Sequence, residues 1–336
     1  MKEVYPGIFL IKEKGRFGVF KPPENVYVIS GENGLIFDAG YGTKKAINHL
    51  IREIENLRRT YPKRDDNFKL RVLPSHAHPD HISGIARLRK RLGIKIILTK
   101  MMAQVIQSKK DYYDYYESED YYEDLMIPNG FWQKIKSGFR HKVIKIFYRN
   151  IYGLAFLKDP DIIIDDDSSI EINGEEWKIL STPGHCITHI SLYNEEKGIL
   201  FAGDNVLRTI TTWLGPPTSS IKAYIKTIES YQKLPNLKLI LPSHGSPIKN
   251  PDIRLKEILE HRKSRTNQVL SVIRENKNNG ITPDEIIQRL YPTDSRMKQG
   301  VARGWICLTL KMLERSGEIE RKNRDKGNKV NFIAKK

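Results

Sequence analysis

Residues 73–84 read LPSHAHPDHISG and place His76, His78, Asp80 and His81 within six positions. Three of the nine histidines of the chain fall in this window, between a strand-like run (FKLRVLP) and a helix-like run (ISGIARLRKRLG). In an extended segment alternate side chains share a side, so His76 and His78 point the same way. Pro79 then helps turn the chain, and Asp80 and His81 follow at once. One such loop can serve two metal ions, with His76 and His78 for one and Asp80 and His81 for the other. Neutral imidazole with carboxylate suits Zn²⁺, and Fe²⁺ or Mn²⁺ less exclusively. Each ion still lacks ligands, so the fold must carry more of them to this loop from elsewhere in the chain.

Those further ligands cannot be thiolates alone. The 336 residues contain two cysteines, Cys186 and Cys307, far apart in sequence, which excludes a Cys-only zinc site and indicates no disulfide framework. No apolar run approaches the ~20 residues of a membrane-spanning helix. The amino terminus, MKEVYPGIFLIKEKGRFGVFK, interrupts its apolar run with charges and has no small-residue cleavage site. The chain is therefore expected to be cytoplasmic, with no membrane partner.

Around the cluster, the pattern alternates. GIFLI, NVYVIS and GLIFDAG read as strands with Gly31, Asn33 and Gly34 at turns, and residues 43–59 show helical periodicity behind Thr43 as N-cap. IKIILT, DIIID, SIEIN, EWKIL, HISLYN, GILFAGD and LKLILP read as later strands, and SSIKAYIKTIESYQKL (219–234) as a helix. Strands interleaved with helices predict an α/β domain. Residues 101–160 break the rhythm. DYYDYYESEDYYEDL (111–125) holds seven acids and six tyrosines, and FWQKIKSGFRHKVIKIFYR (131–149) is basic and amphipathic. This stretch is either a solvated surface insertion or a lid over the substrate.

The net charge of +17 is uneven: residues 251–336 carry 20 Lys+Arg against 11 Asp+Glu, while the first 250 carry 37 against 29. Charge alone does not assign a function. The carboxyl-terminal part is mostly helical to about 316 and closes with GEIERKNRDKGNKVNFIA, a hairpin-like tail with Gly327 at its turn. Two helices followed by a hairpin suggest a small winged helix-turn-helix module beginning near 260.

Downstream of the cluster lie STPGHCITH with His185, FAGDNVL with Asp204 and LPSHGSPI with His244, each directly after a strand-like run. The set HxHxDH, TPGH, GD and SHG resembles the metallo-β-lactamase superfamily over roughly residues 1–250. The resemblance implies an αβ/βα sandwich with the metals at one edge. It implies His76, His78 and His185 on the first metal, Asp80, His81 and His244 on the second, and Asp204 on both. Asp38, in IFDAG, matches the early aspartate that supports such sites without ligating. True β-lactamases have cysteine where Asp204 stands here, which argues against antibiotic hydrolysis.

With the carboxyl-terminal segments LEHRKSRTNQVLSVI, ITPDEIIQRLYP and VARGWICLTLKMLERSGEIER included, the chain resembles the β-lactamase-like protein 2 group with its winged-helix extension. The implied division is a catalytic domain over 1–250, with 101–160 as a helical insertion, and a helical linker plus winged helix over 251–336.

The expected chemistry is hydrolysis by two Zn²⁺ ions ~3.5–4 Å apart, which lower the pKa of a bridging water towards ~7 and hold it as hydroxide. Asp80 is then the catalytic residue that orients the hydroxide. His189, on the HISLY strand, is either a leaving-group acid or a supporting residue. The group spans two chemistries, cleavage of single-stranded RNA and release of acyl groups from carriers, and fold does not choose between them. RNA is the leading expectation, with the basic residues 251–336 tracking phosphates and Tyr112, Tyr113, Tyr115, Tyr116 and Trp132 stacking on bases. The alternative is a small acyl ester or thioester under a lid lined by Phe131, Trp132, Phe139, Ile146 and Phe147.

Overall fold

The first strands are short apolar runs bounded by turns, and they pair in sequence order. β1 (Lys2–Tyr5), β2 (Ile8–Glu13), β3 (Glu24–Ile29), β4 (Asn33–Phe37), β5 (Lys69–Leu73), β6 (Lys95–Thr99) and β7 (Ile162–Ile164) form one seven-stranded sheet in that spatial order. The computed structural model describes residues 1–13, 21–60, 69–116, 146, 148–276, 279–293, 296–322 and 330–335. The expectations placed on Phe131, Trp132, Phe139, Phe147 and the turn at Gly327 lie outside the described residues.

The hairpins β1–β2, β2–β3 and β3–β4 are antiparallel, whereas β4, β5, β6 and β7 run parallel to one another. Parallel neighbours need crossovers. α1 (Lys44–Thr60) makes the first, starting behind Thr43, whose Oγ1 accepts the Ala46 N–H at 3.4 Å. Its buried stripe of Ile47, Leu50, Ile51, Ile54 and Leu57 packs into the sheet core. Each such side chain stabilises the fold by about 1.5–3 kcal/mol. The 101–160 segment also has a crossover's place, because it joins the parallel pair β6 and β7. Its described parts include α4 (Lys100–Ile106), α5 (Lys109–Tyr116) and a π-helical turn at Tyr148–Tyr152.

A second sheet, in the order β12-β11-β10-β9-β8, contains β8 (Ser169–Ile172), β9 (Glu175–Ser181), β10 (Ile190–Asn194), β11 (Ile199–Gly203) and β12 (Leu239–Pro242). β11 and β12 are its parallel pair. The two sheets meet face to face through aromatic side chains. Phe201 of β11 lies 5.2 Å from both Tyr27 and Phe37 of the first sheet and 5.6 Å from Trp177 of its own. On its other face the second sheet contributes Tyr193, Leu200 and Ile240 to a separate cluster. Tyr224 and Ile228 of α6 (Ile221–Tyr231) and Leu255 and Ile258 of α7 (Pro251–Glu275) complete that cluster. Helix, sheet, sheet and helix therefore stack in the expected α/β order.

Beyond residue 260, α7, α8 (Pro283–Leu290), α9 (Arg296–Arg315) and the hairpin of β13 (Ile319–Lys322) and β14 (Asn331–Ala334) enclose their own apolar cluster. Thr282 and Glu285 form a reciprocal capping box at the start of α8. Ile281, just before it, bridges Phe332 of β14. No described helix is long and apolar enough to cross a membrane.

Candidate metal centre

Each residue of the expected ligand set, and Asp38, lies past the carboxyl end of a strand. Asp38 follows β4, the 76–81 cluster follows β5, and His185 follows β9. Asp204 follows β11 and His244 follows β12. Because β4 and β5 are parallel, as are β11 and β12, both sheets send these loops to a common edge. The cluster itself folds as α2 (Pro79–Ile82), with Pro79 at its first turn, where a missing N–H costs nothing. It breaks at Ser83 and Gly84, where the Gly84 N–H bonds the Gly40 carbonyl at 3.0 Å, before α3 (Ile85–Leu92) begins.

The side chains converge as two groups. His76, His78, His185 and Asp204 bring ligand-type atoms within 4.8 Å of one another, and so do Asp80, His81 and His244. Asp204 joins the groups: its Oδ2 lies 3.5 Å from His185 Nε2 and 3.7 Å from His81 Nε2, and its Oδ1 lies 3.3 Å from His244 Nε2. Asp80 reaches His81 Nε2 and His244 Nε2 at 3.7 Å each, and His78 Nδ1 lies 2.8 Å from His185 Nε2. Metal–ligand bonds of ~2.0–2.1 Å in a tetrahedron would set neighbouring ligand atoms about 3.3 Å apart. The spacing fits a cation in each group. Two buried atoms strengthen the fit: His76 Nε2 and His81 Nε2 have no hydrogen-bond partner among the described residues.

The other ring nitrogens are occupied. His76 Nδ1 meets Ser75 Oγ at 2.9 Å, and His81 Nδ1 meets Asp38 Oδ2 at 3.0 Å. His185 Nδ1 meets the Trp213 carbonyl at 2.9 Å, and His244 Nδ1 the Pro23 carbonyl at 2.7 Å. Orienting an imidazole by an acceptor on its far nitrogen is how metal-binding histidines are usually held.

Asp38 ties the two sheets together. It accepts the Ser75 N–H at 2.7 Å on Oδ1 and the Ser243 hydroxyl at 2.6 Å on Oδ2, from a left-handed backbone position (φ 67°) that is unfavourable outside glycine. The signal for these serines was available in the chain: LPSH occurs twice, at 73–76 and 241–244, once at the end of each strand bonded through Asp38. Sequence reasoning also missed Glu24 and Trp213. Glu24 is fully buried 3.5 Å from His81 Nδ1, with neither carboxylate oxygen hydrogen-bonded among the described residues.

Burial, reinforced by neighbouring imidazoles, holds His76 and His78 well below the ordinary imidazole value, and it lowers His185 despite Asp204. Burial would depress His81 too, but Asp38, Asp80, Asp204 and Glu24 outweigh it and hold that ring well above the ordinary value. His244 is lifted to about 9, as Asp204 and Asp80 overcome the cost of burial. Burial would raise Asp204, yet His244 and His81 bring it well below the usual carboxylate range.

His189 lies among these groups but does not face them as a proton donor. It is 1% exposed, its Nε2 accepts the Asp204 N–H at 3.1 Å, and its Nδ1 faces Thr182 Oγ1 at 2.9 Å. Burial depresses it to about 3, so the ring is neutral. Of the two roles expected for His189, leaving-group acid or support, this setting matches support: the ring is buried with both nitrogens engaged, and what it holds is the backbone of Asp204. Gly203 makes room for it, since a Cβ there would stand 2.4 Å from His189 Nε2.

The tyrosines expected to stack on bases are also differently placed. Tyr112 and Tyr113 are buried in the core, and Tyr116 donates its hydroxyl to the Ala77 carbonyl at 3.1 Å. Cys186 is buried and free, with its sulfur 3.3 Å from Thr188 Oγ1.

Known proteins resemble this chain in sequence and in fold. A stretch of 174 residues is 28% identical to the beta-lactamase-like protein 2 homolog of Caenorhabditis elegans, covering 51% of this chain and 57% of that protein. The chain thus matches little more than half of that relative's length. A stretch of 136 residues is 30% identical to the atrochrysone carboxyl ACP thioesterase of Aspergillus chevalieri, covering 38% of this chain and 42% of that enzyme. The crystal structure of a metallo-beta-lactamase family protein from Thermus thermophilus superposes with a TM-score of 0.71 at 20% identity, over 99% of this chain and 100% of that one. Residues 21–244 match the metallo-beta-lactamase superfamily itself, and the chain belongs to that superfamily.

Proposed function

We propose that the chain is a binuclear zinc hydrolase of acyl esters or thioesters. His76, His78, His185 and Asp204 would hold one ion, and Asp80, His81 and His244, with Asp204 shared, the other. Divalent ions there would acidify a water and polarise the electrophile. The chain's own residues do the rest. Asp80, whose side chain is 13% exposed and whose two oxygens face His81 and His244, is the carboxylate placed to orient the attacking water and accept its proton. His189 and Ser75 keep Asp204 and His76 in position through the hydrogen bonds described above.

The observation that carries the acyl reading is the apolar surface beside His185. Ile187 follows that histidine by two residues, and Ile210 and Trp213 stand on the loop after Asp204; they are 52%, 64% and 49% exposed. The Trp213 ring lies 6.4 Å from the His185 ring. Large apolar side chains left open beside a reactive centre suit an apolar substrate group. The similarity to a carrier-protein thioesterase points the same way.

A second reading, cleavage of single-stranded RNA, keeps its support in the excess of basic residues over 251–336. There the order of helix, bridge, two helices and hairpin suits a winged helix-turn-helix. The burial of Tyr112 and Tyr113 removes two of its stacking residues.

The test is a zinc-loaded preparation assayed against aryl esters and acyl thioesters of rising chain length, beside a labelled unstructured RNA. The Asp80→Ala, His81→Ala double variant is the control. Acyl turnover that rises with chain length and vanishes in the control is expected. RNA cleavage without acyl turnover would overturn the acyl reading in favour of the nuclease.

A further inference from the structure

The carboxyl-terminal helix α9 reaches into the loop that orients His185. Gly304 lies inside this helix, where glycine costs about 1 kcal/mol against alanine unless packing requires it. Packing does require it. A Cβ on Gly304 would stand 3.3 Å from both Gly215 Cα and the Leu214 carbonyl oxygen, tighter than ordinary contact. On the loop side Gly215 is equally confined, because a Cβ there would meet the Trp213 ring at 2.3 Å.

Two glycines thus bring helix and loop together backbone to backbone, and Trp213 folds over the contact. Leu308, one turn along α9, joins Leu214, Val206 and Tyr224 in a shared apolar cluster. The loop in turn grips His185 twice: the Trp213 carbonyl accepts from Nδ1 at 2.9 Å, and the Ser219 hydroxyl donates to the His185 carbonyl at 2.5 Å. Ser219 Oγ also accepts the Gly215 N–H at 3.0 Å, so the residue touched by α9 and the residue holding His185 are hydrogen-bonded to each other.

We infer that Gly304 is a positioning residue for the metal centre: the carboxyl-terminal unit fixes the 213–219 loop and, through it, the ring of His185. The imidazole that this loop orients directly is that of His185. The Nδ1 partners of His81 and His244 are Asp38 and Pro23, far from α9 in the chain. This rests on the proposed ligand set.

The experiment measures zinc stoichiometry and the affinity of each bound ion by chelator competition in the full chain. It compares the wild type with Gly304→Val and Gly304→Ala. Gly300→Val is the control, because a Cβ at Gly300, one turn earlier on α9, meets nothing within 4 Å. Losing the orienting partner of a metal-bound histidine costs about 10–100-fold in affinity. One of the two ions should weaken by that factor in Gly304→Val, and less in Gly304→Ala, with the other ion and Gly300→Val unchanged. Circular dichroism confirms folding, and Gly304→Ala decides if the valine variant does not fold. Wild-type-like affinity for both ions in a folded Gly304 variant overturns the inference, as does equal weakening of both. A wild type that binds no zinc overturns the ligand set instead.

Discussion

The half of the centre formed by His76, His78 and His185 and the half formed by Asp80, His81 and His244 share Asp204, yet their imidazoles are shifted in opposite directions. In the first, burial and the neighbouring imidazoles outweigh Asp204, and at His185 the Trp213 carbonyl and Asp80 as well, so all three are lowered. In the second, His81 and His244 face several carboxylates and are raised. Without metal, burial thus favours neutral imidazoles in the first half, whereas the carboxylates of the second favour protons on His81 and His244. A metal ligand must be deprotonated, so loading the second half must displace protons that the first never held. Histidine content alone would not have distinguished them; what differs is the number of carboxylates each imidazole faces.

The change that breaks this comparison most completely is Asp204→Ala, which removes the one carboxylate common to both halves. We expect loss of both ions and a fall in hydrolysis of at least about 10³-fold, checked by metal analysis and kcat/KM together. Retention of one tightly held ion would show that the halves are independent of it.

Single-ligand changes sharpen the contrast. His244→Ala should leave one zinc per chain and His185→Ala should also leave one, each with more than about 100-fold lower activity. The remaining ion should report a different environment in the two variants, which the visible spectrum of the cobalt-substituted protein distinguishes. Identical spectra would mean that the two groups do not hold separate ions.

Ser75→Ala is a smaller perturbation that touches both halves, because Ser75 Oγ lies 2.9 Å from His76 Nδ1 and 3.4 Å from His81 Nδ1. A loss of roughly 10-fold in affinity, larger for the ion held by His76, is expected by chelator competition. Loss confined to the second ion would contradict the shorter contact.

What the sequence made legible follows from how local each feature is. His76, His78, Asp80 and His81 lie within six residues and need only one turn to be arranged, while His185, Asp204 and His244 each end a readable strand. The supports were less visible because they depend on pairing between distant segments. Trp213 acts through its carbonyl, which no side-chain motif records. His189 lies just before β10 and four residues from His185, so proximity alone allowed a catalytic role; its hydrogen bonds to Asp204 and Thr182 come from the sheet geometry. β1 escaped notice because KEVY is a short, charged edge strand with no apolar alternation.

Glu13 is the clearest case of a residue whose setting only register reveals, and it supplies the mildest test. It lies within the charged stretch KEKGRFGVFKPPEN. Strand pairing sets Glu13 opposite Glu24 and buries both. Burial lifts the Glu13 carboxyl from 4.5 to about 7, against the opposing pull of the Tyr41 N–H and Lys21. A carboxyl raised on folding binds more protons in the folded state, so its contribution to stability is complete below about 4.5 and is lost as pH rises towards 7. Glu13→Gln keeps the shape and removes the titration. Its stability relative to the wild type should therefore improve between pH 5 and pH 8 by about 1–3 kcal/mol, measured by urea unfolding at matched zinc. A gap that stays constant over that range would mean that Glu13 is ionised in the folded chain. The buried acids would then be a charged support to the carboxylate-rich half of the centre, and not a neutral one.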